Sequence, residues 1–271
     1  DYRAGKTPNP DVLCNRSIKF GAFLKAALAE GADFIATGHY AQIKSVADKK
    51  ALLAGADPEK DQSYFLWTLT QEDLKRVIFP VGGFHKPQVR ERAAKFGLPT
   101  AAKKESQGLC FMGELDMRQF LKRFIPSREG AVLSVSGKTI GTHGGAAYYT
   151  IGSRHGFRIT TRTAHETPQY IIEKDIQKNT LTVSENPLRD GGIQAVELES
   201  VNWIREAPDT GRVYGSRIRY RQPLQVCRVE KNSTVWRVRF ESPQTGVALG
   251  QSVVLHDGNE CLGGGIIKSS Q

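Results

Sequence analysis

Apolar residues recur at helical spacing at Ile18, Phe20, Phe23, Leu24, Ala27 and Leu28, and Gly31 supplies a stop, so the pattern predicts a helix over 18–30. Asp33 to His39 is different in kind. Phe34-Ile35-Ala36 is a short apolar run that closes in Thr37-Gly38-His39, which suits a buried parallel strand whose C-terminal end opens into a site. Helix followed by buried strand predicts an α/β layer. Further helices are predicted over 70–77, with Thr70 as N-cap and Asp73 in the capping-box position, and over 87–96, with Pro87 at N1 and Gly97 as the C-terminal cap. Another is predicted over 115–125, ended by Pro126.

Beyond this point the texture changes to short β-rich runs punctuated by glycine: 131–135, 138–142, 170–173 and 180–183. From about Gly191 onward apolar and polar residues alternate, as in 217–221 and 235–240, with no helical pattern, which predicts a small β-barrel. The expected organisation is three domains: 1–115, 116–188 and 189–271.

With 271 residues, 39% of them hydrophobic, the chain can bury a substantial core. Its formal net charge of +10 favours polyanionic partners, nucleic acid first among them. No apolar run approaches the roughly 20 residues that cross a bilayer, and the opening residues lack the basic-then-apolar order of a signal peptide. A cytoplasmic chain is expected, or a mitochondrial matrix one if the source is eukaryotic. The first residues read like the middle of a loop and there is no initiator Met, so N-terminal sequence is expected to precede Asp1. The four cysteines, Cys14, Cys110, Cys227 and Cys261, are far apart and form no CxxC or Cys/His cluster. That spacing argues against a disulfide scaffold or a structural zinc site, and no metal site is expected.

Two segments concentrate chemistry. Thr7-Pro8-Asn9-Pro10-Asp11-Val12-Leu13-Cys14-Asn15 places prolines, an acid and a thiol in one stretch, which read without function is a loop of Asn-Pro turns with a buried Cys. In Lys103-Lys104-Glu105-Ser106-Gln107-Gly108-Leu109-Cys110-Phe111-Met112-Gly113, glycines that permit movement flank a cysteine downstream of two lysines whose charge favours a thiolate.

Together with Ala36-Thr37-Gly38-His39-Tyr40, Lys60-Asp61-Gln62-Ser63-Tyr64-Phe65-Leu66 and Cys261-Leu262-Gly263-Gly264-Gly265-Ile266-Ile267, these segments resemble, in order and spacing, the tRNA-specific 2-thiouridylase family. The resemblance implies the remainder of an adenine-nucleotide α-hydrolase-like ATP-pyrophosphatase domain, then a small central domain and a C-terminal all-β barrel. It implies an activity as well: ATP, with Mg²⁺, adenylates the C2 oxygen of the wobble uridine of a tRNA, and a cysteine persulfide delivers sulfur. A sulfur-relay protein or cysteine desulfurase would charge that persulfide. Carried over by motif, Cys110 is the persulfide carrier, Cys14 the second thiol, able to form a disulfide with Cys110, and Asp11 an acid/base near the uracil. Gly38 would let the nucleotide approach the backbone. Asn9, Pro10, Asp11, His39, Lys60, Asp61, Gln62, Arg219, Tyr220 and Gln251 would contact tRNA. Read without function, His39 is a satisfied histidine at a strand end.

The sequence departs from the family at two places. The phosphate-binding Ser-Gly-Gly-x-Asp-Ser loop does not occur, so the chain is expected to begin downstream of it and to be inactive alone. Tyr149 and Ser153 stand where the family has His and Gln. Two other readings stay open on the residues, a non-catalytic RNA-binding fragment and another ligase on the ATP-pyrophosphatase fold.

Overall fold

A computed structural model describes residues 1–102, 116–160, 167–188 and 192–271. The first helical run begins well before the periodic stretch. It consists of α1 (Pro10–Cys14), a π-helical segment (Asn15–Phe23) and α2 (Leu24–Ala29). Phe20, Leu24 and Val12 are among its buried residues and share a core with Leu66, Trp67 and Phe79. β1 is only Ile35–Ala36, shorter than the predicted strand. A hairpin of β2 (Ala41–Val46) and β3 (Lys49–Ala54) comes next, which hydrophobic patterning does not anticipate. α3 (Gln71–Leu74) starts at the expected Thr70/Asp73 capping box, and β4 (Val77–Ile78) pairs parallel with β1. α4 (Lys86–Lys95) starts one residue before Pro87, with His85 as N-cap, and Gly97 lies just beyond it at φ 64°. α5 (Met117–Lys122) is set by Asp116, whose Oδ1 accepts from the Arg118 and Gln119 amides.

The central region is a five-stranded sheet of β5 (Gly130–Leu133), β6 (Thr139–His143), β7 (Arg158–Ile159), β8 (Tyr170–Asp175) and β9 (Thr180–Ser184), in the order β7-β6-β5-β9-β8. Leu121, Val132, Tyr149, Ile171 and Leu181 lie in its core. The last region holds β10 (Ile193–Trp203), β11 (Val213–Arg217), β12 (Gln225–Asn232), β13 (Val235–Gln244), β14 (Ser252–Asp257) and β15 (Glu260–Ser270). Pairing of β10 with β15 closes these six strands into a barrel. Closure explains the terminal glycine run: β15 is squeezed between β10 and β14, and a Cβ on Gly264 would stand 2.1 Å from the Val253 carbonyl oxygen.

One predicted strand is displaced. The segment 217–221 is not extended, because β11 ends at Arg217 and the chain turns with Arg221 at φ 63° and the Gln222 amide bonded to the Arg219 carbonyl. Alternation alone cannot register that Gln222 Oε1 takes the Ile218 amide out of the ladder.

The α/β part and the barrel share a core. β3 pairs with β15 through Leu53 and Leu52 against Glu260 and Cys261, and Val12, Tyr64 and Trp67 cluster with Val254 and Cys261. Among the described residues no helix is long and apolar enough to cross a membrane.

Candidate active site

The Asn-Pro-Asp element is a helix start, which replaces its reading as a loop of Asn-Pro turns. Asn9, in the extended conformation that a following proline enforces, accepts the Asp11 and Val12 amides at 3.1 and 3.3 Å on Oδ1. Pro10 occupies N1, where no amide hydrogen is needed, and Asp11 lies in the first turn, where the helix dipole favours a carboxylate. Asp11 and Cys14 are three apart and so share a face of α1. Cys14 is half-buried and carries its sulfur as a thiol. Behind them a cavity of about 100 Å³ between Pro8, Asn9, Leu13 and the barrel residues Glu199, Gly250 and Ser252 backs the helix start against the barrel.

The π-helical segment governs the course of the chain after Cys14. Bonds run to the fifth residue back, as from the Leu24 amide to the Lys19 carbonyl, so residues five apart are brought toward one face. Gly21 suits this winding, because a Cβ there would lie 2.8 Å from the Arg16 carbonyl oxygen, five residues earlier. Asn15, 2% exposed, donates to the Phe65 carbonyl at 3.1 Å and ties the segment to the turn after Gln62.

Opposite this segment, at the C-terminal end of β1, a cavity of about 430 Å³ is lined by Lys19, Phe23, Ala36, Thr37, Gly38, His39 and Gln62. The carboxyl ends of parallel strands are where α/β folds take ligands. Gly38 leaves open space where a Cβ would point. His39 is 7% exposed, flanked by Phe20 and Phe79. Its Nε2 lies 3.4 Å from Lys19 Nζ and its Nδ1 lies 2.8 Å from Thr37 Oγ1. An ammonium only donates, so Nε2 accepts from Lys19 and Nδ1 carries the proton that goes to Thr37. Burial first, and the Lys19 charge second, push the imidazole down to about 3. His39 is therefore a neutral, doubly bonded histidine.

The Lys60-Asp61-Gln62 element divides by direction. Gln62 faces the cavity and clasps Tyr40, its Oε1 accepting the Tyr40 amide at 3.0 Å and its own backbone amide donating to the Tyr40 carbonyl at 2.8 Å. Asp61, 4% exposed, points inward: Oδ1 accepts the Gly55 and Ser63 amides, and Oδ2 pairs with Arg217 at 2.7 Å. Lys60 is half-buried.

The barrel residues are also engaged. Arg219 Nη2 donates to the carbonyls of Ile151 and Gly246 at 2.7 Å each, joining the central region to the barrel. Tyr220 packs on Phe65 at 4.5 Å between ring centroids, and Gln251 donates to the Thr7 carbonyl. Tyr149 is 2% exposed and lies in the central core. Cys110 and its flanking residues lie outside the described residues, so the expected meeting of Cys14 with Cys110 falls there too. Sequence reasoning passed over Lys19, Asn15 and Arg217. Lys19 lies inside the predicted helix, and its place beside His39 is a contact between residues 20 apart in sequence, which periodicity does not register.

Comparison with known proteins covers the chain in three consecutive parts. Residues 1–114 match the tRNA methyl transferase HUP domain family, 118–185 the tRNA methyl transferase PRC-barrel domain family and 193–267 the aminomethyltransferase beta-barrel domain family. The tRNA-specific 2-thiouridylase MnmA of Pseudomonas fluorescens (strain SBW25) is 46% identical over 276 residues, covering all of this chain and 73% of that protein. The protein of the same name from Nitrosomonas eutropha is 47% identical over 279 residues, covering all of this chain and 76% of that protein. The one from Pseudomonas putida (strain GB-1) is 45% identical, again over the whole of this chain and 73% of that protein.

Proposed function

The chain belongs to the tRNA-specific 2-thiouridylase family, and from that premise we propose that it replaces the C2 oxygen of a tRNA wobble uridine with sulfur. The observation that carries the reading is similarity at 45–47% identity along the entire chain, with the three parts in one order. Some of the family descriptions speak of methyl transfer, but the relatives matched along the whole chain are named as 2-thiouridylases, and a pair of separated thiols suits sulfur relay.

ATP is the co-substrate, with Mg²⁺ accompanying its phosphates, and the cavity beside Gly38 is where the nucleotide fits. Uridine O2 attacks the α-phosphorus and pyrophosphate leaves, which turns a poor leaving oxygen into a good one. Cys110 carries the terminal sulfur as a persulfide, received from a sulfur-relay protein or cysteine desulfurase. That sulfur attacks C2 and AMP leaves with the original oxygen. The thiolate of Cys14 then attacks the sulfur of Cys110, forming a Cys14–Cys110 disulfide and leaving the sulfur on uracil. Cys14 liberating hydrosulfide first needs the same pair. A thiol reductant restores both cysteines for the next turnover. Asp11, one turn before Cys14, exchanges the proton, and Asn9 and Pro10 meet the base. His39, Lys60, Gln62, Tyr220 and Gln251 border the tRNA path, while Asp61 acts from behind through Arg217 and Arg219 through the carbonyls it joins.

The test separates the half-reactions. The protein is charged by a cysteine desulfurase, Cys110 is examined by mass, and ATP, tRNA and a polypeptide carrying the Ser-Gly-Gly-x-Asp-Ser loop are then added. Cys14→Ser should keep the persulfide and lose 2-thiouridine at least about 100-fold. A chain that never gains sulfur on Cys110 would sink the proposal.

A further inference from the structure

The cavity at the end of β1 is lined by a lysine whose part in the chemistry no motif assigns. Lys19 reaches it from the π-helical segment. The ammonium lies 3.4 Å from His39 Nε2, and His39 is in turn fixed by Thr37 at 2.8 Å. This relay aims the positive charge at a set position. A carboxylate in the place of His39 would cancel that charge, whereas a neutral imidazole orients it and adds no charge of its own. Burial among Phe20 and Phe79 keeps the imidazole in that neutral form, since its protonation is pushed down to about 3.

The cavity also supplies what a nucleotide phosphoester would need beside its charge partner. Gly38 leaves the backbone open to close approach, Phe23, 53% exposed, offers an aromatic ring, and Gln62 closes the opposite wall. A lysine ammonium is a compact point charge suited to phosphate.

We propose that Lys19 is a phosphate-binding residue of this site, its ammonium offsetting the negative charge of the phosphodiester that joins AMP to the uracil O2 and of the AMP that departs. The inference rests on the thiolation reading and adds a residue to the activation half-reaction.

The test uses a readout that sulfur chemistry does not touch. Affinities of the chain for AMP and for adenosine are measured by titration calorimetry, since the two ligands differ only in the phosphate. The wild type should prefer AMP roughly 10- to 100-fold, the scale of one charge-assisted contact. Lys19→Gln should abolish the preference while leaving adenosine affinity and the melting temperature unchanged, and Lys19→Arg should retain most of it. Equal affinities in the wild type, or a preference that survives Lys19→Gln, overturns the assignment. Formation of 2-thiouridine by the wild type is scored separately, so a failure of the phosphate role is told apart from a failure of the thiolation reading.

Discussion

Of the four cysteines, two lie deep in the protein: Cys261 is 0% exposed and Cys227 1%. Burial pushes both thiols up, that of Cys261 to about 12, so at neutral pH neither offers a thiolate. Iodoacetamide at about pH 7.5 should therefore label Cys14 in the native protein and reach Cys227 and Cys261 only after denaturant is added. Peptide mapping that finds Cys261 alkylated in the native state would contradict the buried environment. The histidines make a second residue-scale prediction. His39 is pushed down to about 3 and His256, buried beside Arg217, to about 4. Each stays neutral in the fold while the unfolded chain takes up a proton below about pH 6.5, so stability is full above that pH and falls as the pH drops toward the folded values. By about pH 5 the loss is about 2 kcal/mol for each histidine. Urea midpoints at about pH 7.5 and about pH 5 should differ accordingly, and equal midpoints would mean that the rings are protonated in the fold.

At the scale of the element, the helix entered at Pro10 shows how local signals and winding divide the work. Pro8-Asn9-Pro10-Asp11 carries a full start signal, with an Asn cap, a proline at N1 and an acid in the first turn. Periodicity placed the start later, at Ile18, because it treats every apolar residue as part of the buried face, whereas Ile18 and Phe23 are 50% and 53% exposed. Beyond the start the chain is wound as the π-helical segment Asn15–Phe23. Replacing a mid-helix glycine by alanine ordinarily stabilises by about 0.5–1 kcal/mol. At Gly21 the added methyl would meet the Arg16 carbonyl oxygen at 2.8 Å, so Gly21→Ala should destabilise by about 1–3 kcal/mol instead, read as a lower melting temperature. A higher melting temperature would show that the chain can shed the π turn without cost.

At the scale of the molecule, two arginines connect the parts. Arg217 of β11 pairs with Asp61, which is held by two backbone amides beside Gln62, so the barrel fixes the wall of the cavity at β1. Arg219 links Ile151 of the central region to Gly246 of the barrel. Binding of tRNA should weaken steeply with salt, as phosphate neutralisation requires. Arg219→Ala should weaken that binding while leaving the salt slope unchanged, because its guanidinium is occupied by carbonyls. A slope reduced by about one would make Arg219 a direct phosphate contact.

Sequence by itself determined the family, the order of α/β, central and barrel regions, and most short-range features. The Thr70–Asp73 capping box, the short strands of the central sheet and the alternation over 235–240 are legible because each depends on neighbours within a few residues. The motif residues around Asp11, Cys14, Gly38 and Gln62 were legible as a set through their order along the chain. Tertiary structure alone decided where those side chains point. Asp61 and Gln62 are adjacent in sequence, yet one is turned into an ion pair with Arg217 and the other into the cavity. The pairing of β3 with β15 and the placing of Lys19 beside His39 were likewise invisible. The physical reason is the range of the forces: propensity and capping act between residues close in sequence, whereas burial and charge pairing act between residues the fold brings together from distant parts of the chain.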